Sequence, residues 1–279
     1  MSNEIQKGAL YVVATPIGNL TDITERAKFV LENVDFVAAE DTRVSGKLLS
    51  VLGIKNNFVS YHEHNKNTAG QNILQKLLLG NSGAIVTDAG VPAISDPGED
   101  VVRLCRENGV KVIPVPGACA FVTALSASGM SSRRFVFEGF LPADKKERQA
   151  VLDVVSKDSR TTVFYEAPHR LIKTLEIMKQ TLGERKICLA RELTKLNEEF
   201  TYTTFTEALE MFCEKEPRGE YVIIVEGSIQ QDEGVFWRDM TVEQHVEFYI
   251  CQGMKKMDAI KSCAKDRGVA KNEIYKYFV

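Results

Sequence analysis

The chain has 279 residues, of which 44% are hydrophobic and 26% charged. This length and composition predict a globular protein with a large buried core and domains of ordinary size, about two in number. No apolar run approaches the ~20 residues that cross a bilayer, and MSNEIQK lacks the apolar centre of a signal peptide, so we expect a cytoplasmic location and no membrane partner.

Charge is distributed unevenly along the chain. The whole sequence holds 35 Lys or Arg and 38 Asp or Glu, a formal net charge of −3. Residues 253–279 alone hold seven basic and three acidic side chains, so the tail is basic and the rest of the chain acidic. A basic tail is typical of a solvated helical face and equally of a contact with RNA phosphates, and the sequence leaves both readings open.

Up to about residue 131, short β-rich runs alternate with helical patterns. The first run, LYVVA, leads to a helix for which Thr21 or Asp22 is the expected N-cap. Four further pairs of strand and helix follow, with strands in DFVAAE, NFVSYHE, GAIVTDAG and KVIPVPG. Five such alternations predict an N-terminal α/β domain over residues 1–131 with a mainly parallel sheet.

Residues 132–230 differ because strand candidates are denser there. The five candidates are RRFVFEGFLP, TTVFYEA, KICLARELT, EEFTYTTFT and GEYVIIVEG. The third and fourth are expected to be hairpin neighbours, which predicts a C-terminal α/β domain with a mixed sheet. After an acidic turn from Gln230 to Gly234, residues 235–279 show three short helical patterns. They outline a helix-turn-helix-like tail, although three small helices are also an ordinary packing appendage.

Several common catalytic motifs are absent. No two glycines are separated by a single residue, which removes GxGxxG, and the sequence has no GxxxxGK[ST], HExxH or GxSxG. His62-Glu63-His64 is a weak metal motif without further ligands at a recognisable spacing, so no metal is expected. The six cysteines form no CxxC pair and are expected to be reduced and mostly buried.

Turns rich in Gly and Pro follow the predicted strands, at the sheet edge where open α/β folds bind ligands. The longest, TDAGVPAISDPG, holds two Asp, two Pro and two Gly in residues 87–98. Loops of that length inside a compact domain are usually functional. The other turns of this kind are ATPIGN, AAEDTR, VPGACA and FYEAPHR.

Eight ordered motifs within residues 8–227 resemble a known family. They are AT-PIGN-L-DIT-RA, AAEDTR, SYHEHN, VTDAG-P-ISDPG, VPG-CA, FYEAPHR, RELTK and GEYV-I-EG. Together they are similar to the small-subunit ribosomal RNA methyltransferase I family, which belongs to the tetrapyrrole-methylase-like class of S-adenosylmethionine enzymes. The resemblance implies two α/β domains of the tetrapyrrole methylase type, with S-adenosylmethionine folded in the cleft between them. It also implies methylation of the ribose 2′-oxygen of a cytidine in the decoding region of 16S rRNA, within the small ribosomal subunit. Proteins of this fold class are often homodimers, so a homodimer is expected.

The same resemblance assigns residues to the cofactor. Pro16 with Ile17 would supply a rigid apolar wall where a dinucleotide loop has glycines, and Cys119 would be a wall and not a nucleophile. The full cofactor set implied by the motifs is Pro16, Asp88, Ala89, Gly90, Val91, Ile94, Ser95, Cys119, Ala120, Tyr165, Glu166, Ala190 and Gly219.

A ribose hydroxyl is a very weak acid, so a base or an electrostatic stabiliser is expected beside it. The candidates are Asp41, His62, Glu166, His169 and Lys195. Each has an alternative reading; for Asp41, it is that the carboxylate serves only as a partner of Arg43. For phosphate contacts the candidates are Arg43, Arg170, Arg191 and Lys195, which would otherwise form ion pairs with carboxylates close to them in sequence.

Two other functions compete with an RNA methyltransferase. A small-molecule enzyme acting on a tetrapyrrole would be expected to show a GxGPG-like first loop, where this chain has Thr15-Pro16-Ile17-Gly18. A ribosome-assembly or RNA-binding protein without catalysis would be expected to show a degraded cleft, whereas TDAGVPAISDPG and VPGACA are intact. Both observations favour the RNA methyltransferase.

Overall fold

A computed structural model describes residues 4–228, 236–237 and 240–278. The first part of the chain forms a five-stranded sheet in which all neighbouring strands are parallel, in the order β3-β2-β4-β1-β5. Its strands are β1 (Ala9–Val13), β2 (Phe36–Ala39), β3 (Phe58–Ser60), β4 (Gly83–Val86) and β5 (Lys111–Val115). Strands β2 and β4 are buried along their whole length, as expected for inner strands covered on both faces.

Helices follow each of these strands, and the first four of them cover both faces of the sheet. They are α1 (Glu25–Asn33), α2 (Thr42–Val51), α3 (Lys66–Leu78), α4 (Gly98–Glu107) and α5 (Ala120–Ala127). The predicted cap of α1 is wrong: Thr24 accepts the hydrogen bond from Ala27 N at 3.1 Å. Residues 20–22 instead form a 3-10 turn that Asn19 caps, so the α-helix cannot begin until Glu25.

The second sheet is also five-stranded and has the order β6-β7-β10-β8-β9. Its strands are β6 (Phe135–Phe140), β7 (Thr161–Glu166), β8 (Lys186–Arg191), β9 (Glu199–Thr204) and β10 (Tyr221–Val225). Strands β6 and β7 are parallel and the other pairs antiparallel, and β8 with β9 forms the expected hairpin. The predicted mixed sheet is therefore confirmed. Three helices pack on one face: α6 (Lys145–Lys157), α7 (Pro168–Leu182) and α8 (Phe205–Glu214).

The other face of the second sheet packs against the first half of the chain. Ala124 and Leu125 of α5, with Ile17 of the first loop, share a buried cluster with Val163 and Val222. Helix α5 thus lies on the second sheet although its sequence belongs to the first half. Residues Met1–Ser228 form one compact unit by their contacts, and the division at residues 131 and 132 stays a prediction.

The second compact unit begins at residue 229. Its helices are α9 (Val242–Cys251), α10 (Lys256–Arg267) and α11 (Lys271–Tyr275), with a 3-10 turn over Lys276–Phe278. They share a small core that includes Val246, Ile260 and Ile274. His245 is fully buried in the same unit, with its ring stacked on Trp237 at 5.3 Å. The predicted acidic turn and the boundaries at residues 230 and 235 lie outside the described residues.

Candidate active site

A cavity of about 570 Å³ lies where the carboxyl edge of the first sheet meets the second sheet. Loops after β1, β4 and β5 form one wall, and residues at the ends of β6, β7 and β10 form the other. Its lining is Ile17, Glu40, Thr87, Asp88, Ala89, Gly90, Val91, Ile94, Ser95, Asp96, Pro97, Cys119, Ala120, Phe140, Tyr165, Glu166, Ala167, Pro168, Leu193, Glu220, Tyr221 and Val222. Such a position, at the carboxyl ends of parallel strands, is the usual ligand site of open α/β sheets.

The loop after β4 is held in an uncommon backbone conformation. Ala93 and Ser95 both have a φ of 66°, in the left-handed region that side chains disfavour. Asp96 braces them, since its Oδ1 accepts hydrogen bonds from Ala93 N at 2.9 Å and Gly98 N at 2.7 Å. Burial raises the pKa of Asp96, although these two donors counteract it. Strained residues fixed in this way are typical of ligand-binding loops.

The first loop is tied to this wall by backbone hydrogen bonds. Thr15 and Gly90 form an antiparallel bridge, with N···O distances of 2.8 and 3.2 Å in the two directions. The bridge places Ile17 in the cavity lining, and Gly90 has a φ of 89° that a side chain would rarely adopt. The rigid apolar wall expected of this loop is therefore formed by Ile17.

The loop between β8 and β9 closes the cavity from the second half. Glu192 and Thr194 have φ values of 50° and 66°, so this loop is strained like the loop after β4. Lys195 Nζ bridges two carboxylates at 2.9 Å each, those of Glu192 and Glu220. Burial alone would lower the pKa of Lys195, but the hydrogen bonds to both carboxylates raise it overall. Leu193, between the strained residues, faces the cavity.

Two loops from opposite halves meet at Gly18. A Cβ on Gly18 would come within 2.5 Å of Lys195 Cγ and 3.0 Å of Leu193 O, and Asn19 N donates to Thr194 Oγ1 at 3.0 Å. The absence of a side chain at Gly18 is thus what allows the first loop to pack against the β8–β9 loop. This contact fixes one wall of the cavity relative to the other.

Aromatic and acidic side chains complete the wall from the second sheet. Tyr165 Oη accepts a hydrogen bond from Phe121 N at 3.2 Å, and burial raises the pKa of Tyr165 to about 12. Glu166 is buried and uses both oxygens: Oε1 accepts from Ala167 N at 2.9 Å and Oε2 from Thr174 at 2.6 Å. This carboxylate therefore organises the start of α7.

Three carboxylates, those of Glu40, Asp88 and Asp96, face the same end of the cavity. Burial raises the pKa of Glu40, and the charges of Asp88 and Asp96 raise it further. Thr87 Oγ1 donates to Glu40 Oε2 at 3.3 Å, and Asp41 N donates to Asp88 Oδ1 at 3.3 Å. The cavity thus has apolar side walls and one acidic end.

Comparisons with known proteins agree with this architecture. A family model for tetrapyrrole (corrin/porphyrin) methylases matches residues 9–209. A relative from Halalkalibacterium halodurans, named ribosomal RNA small subunit methyltransferase I, is 48% identical over 98% of this chain and 95% of its own. The chain belongs to this methylase family. A relative of the same name from Bacillus subtilis is 47% identical over 96% of this chain and 93% of its own.

Solved structures of the family share the fold of the first unit. The cobalt precorrin-4 methyltransferase, a cobalamin biosynthetic enzyme, aligns with a TM-score of 0.59 at 17% identity, over 78% of this chain and 95% of that one. The uroporphyrin-III C-methyltransferase from Thermus thermophilus, complexed with S-adenyl homocysteine, aligns with a TM-score of 0.57 at 16% identity, over 78% of this chain and 97% of that one. Because the sequence identities are this low, these matches establish the fold alone and not the activity.

The structure brings most of the cofactor residues expected from the sequence into the cavity lining. They are Asp88, Ala89, Gly90, Val91, Ile94, Ser95, Cys119, Ala120, Tyr165 and Glu166. Three others are not part of it: Pro16 directly precedes Ile17, Gly219 directly precedes Glu220, and Ala190 is fully buried within the cluster behind the wall. For Pro16 and Gly219 the next residue along the chain is the one that lines the cavity, and the cofactor contacts themselves stay a prediction.

The five candidates for the base occupy different places. Glu166 lines the cavity, but its oxygens are engaged as described. The hydrogen bonds from Arg43 hold the pKa of Asp41 well below its usual range, which makes Asp41 a poor base. Lys195, with its raised pKa, is a cation. His62 and His169 are not in the cavity lining, and His169 is exposed on α7.

All four candidates for phosphate contacts form ion pairs. Arg43 pairs with Asp41 at 2.7 Å, Arg170 with Glu166 at 3.2 Å and Arg191 with Glu199 at 2.9 Å. Lys195 is held by Glu192 and Glu220, as described above. Arg43 is nevertheless 86% exposed. It remains available for a phosphate oxygen, whereas Arg170 also donates to Leu141 O and is largely engaged.

Sequence reasoning missed several lining residues, among them the polar or aromatic Glu40, Thr87, Asp96, Phe140 and Tyr221. The signal for Glu40 was present, because it directly follows β2 and precedes the chosen Asp41. His62 and His64 contact each other edge to edge at 6.0 Å. Within the described residues no group of three His, Cys, Asp or Glu is arranged to hold a metal ion. Nor is any described helix long and apolar enough to cross a membrane.

Proposed function

We propose that this protein transfers the methyl group of S-adenosylmethionine to the ribose 2′-oxygen of a cytidine in the decoding region of 16S rRNA. The observation that carries the proposal is the cavity between the two sheets, intact in a chain that is 48% identical to a protein named ribosomal RNA small subunit methyltransferase I. The name of that relative supports the substrate class. The position of the methylated nucleotide and the identity of its base are what the resemblance of the eight motifs implies.

The cavity suits S-adenosylmethionine in size and chemistry. Its volume of about 570 Å³ lies within the range of small-molecule sites, about 300–1,000 Å³. Ile17, Leu193 and Val222 give apolar surface to a purine and to the methionine chain, while Asp88 offers oxygens to hydroxyl or amino hydrogens. A relative in fold carries S-adenyl homocysteine, the demethylated form of this donor, which supports the same ligand class here. No metal is needed, since a sulfonium donor supplies both the methyl group and a neutral leaving group.

The protein's task is to position the reactants. Methyl transfer is an in-line displacement, so the attacking oxygen must be held on the axis of the bond that breaks. The bridge between Thr15 and Gly90, the brace of Asp96 and the ion pairs of Lys195 fix the walls on three sides. Arg43, whose side chain is 86% exposed, is available to a phosphate of an RNA backbone. The catalytic roles of His62 and His169 have no support from their positions.

The substrate is expected to be 16S rRNA within the small ribosomal subunit, which would place the enzyme in the cytoplasm. The test is incubation with radiolabelled S-adenosylmethionine and either deproteinised 16S rRNA or assembled 30S subunits, followed by digestion to nucleosides. We expect label in 2′-O-methylcytidine. Label in another nucleoside would contradict the chemistry, and no label with either RNA would favour the RNA-binding alternative.

Two further points belong to the same proposal. A tetrapyrrole substrate is the rival within the family, and incubation with uroporphyrinogen in place of RNA tests it; methyl transfer there and not to RNA would reverse the assignment. We also propose a homodimer, as is common in this fold class, and light scattering of the full chain measures its mass directly.

A further inference from the structure

We propose that Glu40 is the base that accepts the proton of the attacking ribose hydroxyl. This inference rests on the proposed function and names a residue that the resemblance did not assign. Glu40 directly follows β2, so it stands at the carboxyl edge of the first sheet between the loops after β3 and β4. It lines the cavity and is partly buried.

One oxygen of Glu40 is available to a ligand. Its Oε2 accepts the hydrogen bond from Thr87 Oγ1, which holds the carboxylate in one orientation. Within the described part of the chain, Oε1 has no hydrogen bond and no cationic side chain forms an ion pair with Glu40. A base needs such an arrangement, because the oxygen that takes the proton must not already be engaged by a donor.

The other acidic groups of the cavity are engaged. Asp96 accepts two backbone hydrogen bonds, Glu166 accepts from Ala167 N and Thr174 Oγ1, and Glu220 pairs with Lys195. Asp88 accepts from Asp41 N and is the more exposed group, suited to a cofactor contact. Glu40 is therefore the lining carboxylate that is partly buried, is oriented by a single hydroxyl donor and has no cationic partner among the described residues.

The surroundings of Glu40 strengthen it as a base. Burial disfavours its charged form, and the carboxylates of Asp88 and Asp96 disfavour it further; Thr87 and His62 act in the opposite direction. The result is a pKa above the usual value for Glu. A raised pKa brings a carboxylate closer to the working pH, which makes it a better proton acceptor.

The step balances without another reactant. The ribose oxygen forms a bond to the methyl carbon as the carbon–sulfur bond breaks, and the electron pair of that bond stays on sulfur. The O–H bond breaks at the same time, its proton passing to Oε1 of Glu40 and its electron pair remaining on the ribose oxygen. The products are the 2′-O-methyl ether, S-adenosylhomocysteine and protonated Glu40, which returns its proton to water.

The experiment compares wild type, Glu40→Gln and the control Glu32→Gln, an exposed carboxylate on α1. Single-turnover methylation of the RNA substrate is measured from pH 5.5 to 9, and calorimetry gives the affinity for S-adenosylhomocysteine. We expect the wild-type rate to fall at acid pH, where Glu40 is protonated. Glu40→Gln should react more slowly by a factor on the order of 10²–10⁴ and should not show that fall, while its affinity for the product changes less than about threefold. Glu32→Gln should match wild type.

Three results would overturn the proposal. A Glu40→Gln rate within about threefold of wild type would remove Glu40 from the chemistry. An unchanged fall at acid pH would assign that titration to another group. A loss of product affinity with a normal rate at saturation would make Glu40 a cofactor ligand. Wild-type enzyme that forms no 2′-O-methylated nucleoside would instead contradict the proposed function and, with it, this role.

Discussion

At the scale of single residues, the carboxylates at the two ends of β2 have contrasting surroundings. Glu40 follows β2 at its carboxyl edge and is crowded by Asp88 and Asp96. Asp35 precedes β2 and accepts hydrogen bonds from Ser82 N and Ser82 Oγ at 2.7 Å each. Burial, together with the charges of Asp88 and Asp96, raises the pKa of Glu40, whereas the hydrogen bonds from Ser82 lower that of Asp35. The first arrangement suits the proposed base, and the second stabilises the fold.

These opposite shifts predict opposite effects on folding. When folding raises the pKa of a carboxyl group, the protein loses stability as the pH rises through that pKa. Glu40→Gln should therefore raise Tm at pH 7 and have little effect near pH 4. A carboxyl whose pKa is lowered contributes stability above its unfolded pKa, so Asp35→Asn should lower Tm at pH 7, with the difference fading as pH falls below 4. Thermal unfolding followed by circular dichroism at both pH values checks both signs. A lower Tm for Glu40→Gln at pH 7 would show that its carboxylate is not crowded.

At the scale of elements, the cavity depends on close approaches between loops of the two halves. The irregular pairing of β6 with β7 around Gly139 gives that glycine a φ of 66°. A Cβ there would come within 2.6 Å of Ser95 Oγ in the strained loop after β4. A bulge in the second sheet thereby supports a cavity-lining loop of the first.

Gly139→Ala should therefore weaken cofactor binding as well as stability. The left-handed backbone costs a side chain about 1–2 kcal/mol, and displacement of Ser95 should reduce affinity for S-adenosylhomocysteine several-fold. Gly109→Ala is the matched control, because Gly109 has a φ of 73° but open space around its Cβ position. Calorimetry should show a loss of affinity in Gly139→Ala alone. Equal affinities would mean that Ser95 moves without consequence for the ligand.

The strands and the order of helices were predictable because buried parallel strands are continuous apolar runs, as in GAIV of β4. The pairing of β1 with β4 rather than β2 was not, since the order of strands depends on long-range packing. Asp41 was a candidate base with pairing to Arg43 as its alternative, and only the structure shows that Arg43 folds back onto Asp41. Likewise Thr24 became the cap of α1 only because residues 20–22 form a separate turn.

At the scale of the whole molecule, every residue lining the cavity lies within the first compact unit. The tail from α9 onwards has its own core, in which Arg267 stacks on Trp237 at 5.2 Å and donates to Met240 O at 2.6 Å. Its exposed tyrosines, Tyr275 and Tyr277, lie in the basic part of the chain. The cavity thus belongs to the first unit, and no residue of the described part of the tail lines it.

A chain that ends at Ser228 should keep the affinity of the full chain for S-adenosylhomocysteine within about threefold. If the tail contacts RNA, the shortened protein should bind 30S subunits more weakly and with a smaller dependence on salt. Calorimetry and sedimentation binding at two salt concentrations measure these effects. Unchanged binding to subunits would identify the tail as a packing appendage, and a lost affinity for the cofactor product would show that the first unit needs the tail.

Helix α5 has a consequence for any attempt to divide the first unit. Its buried residues, Ala124 and Leu125, pack on the second sheet although they precede the predicted division at residues 131 and 132. A gene cut at that division would leave the first fragment with an unsupported apolar helix and the second with an uncovered sheet face. Fragments should therefore be expressed with α5 in the second half, because the predicted division of the chain does not coincide with the boundary between its two packed layers.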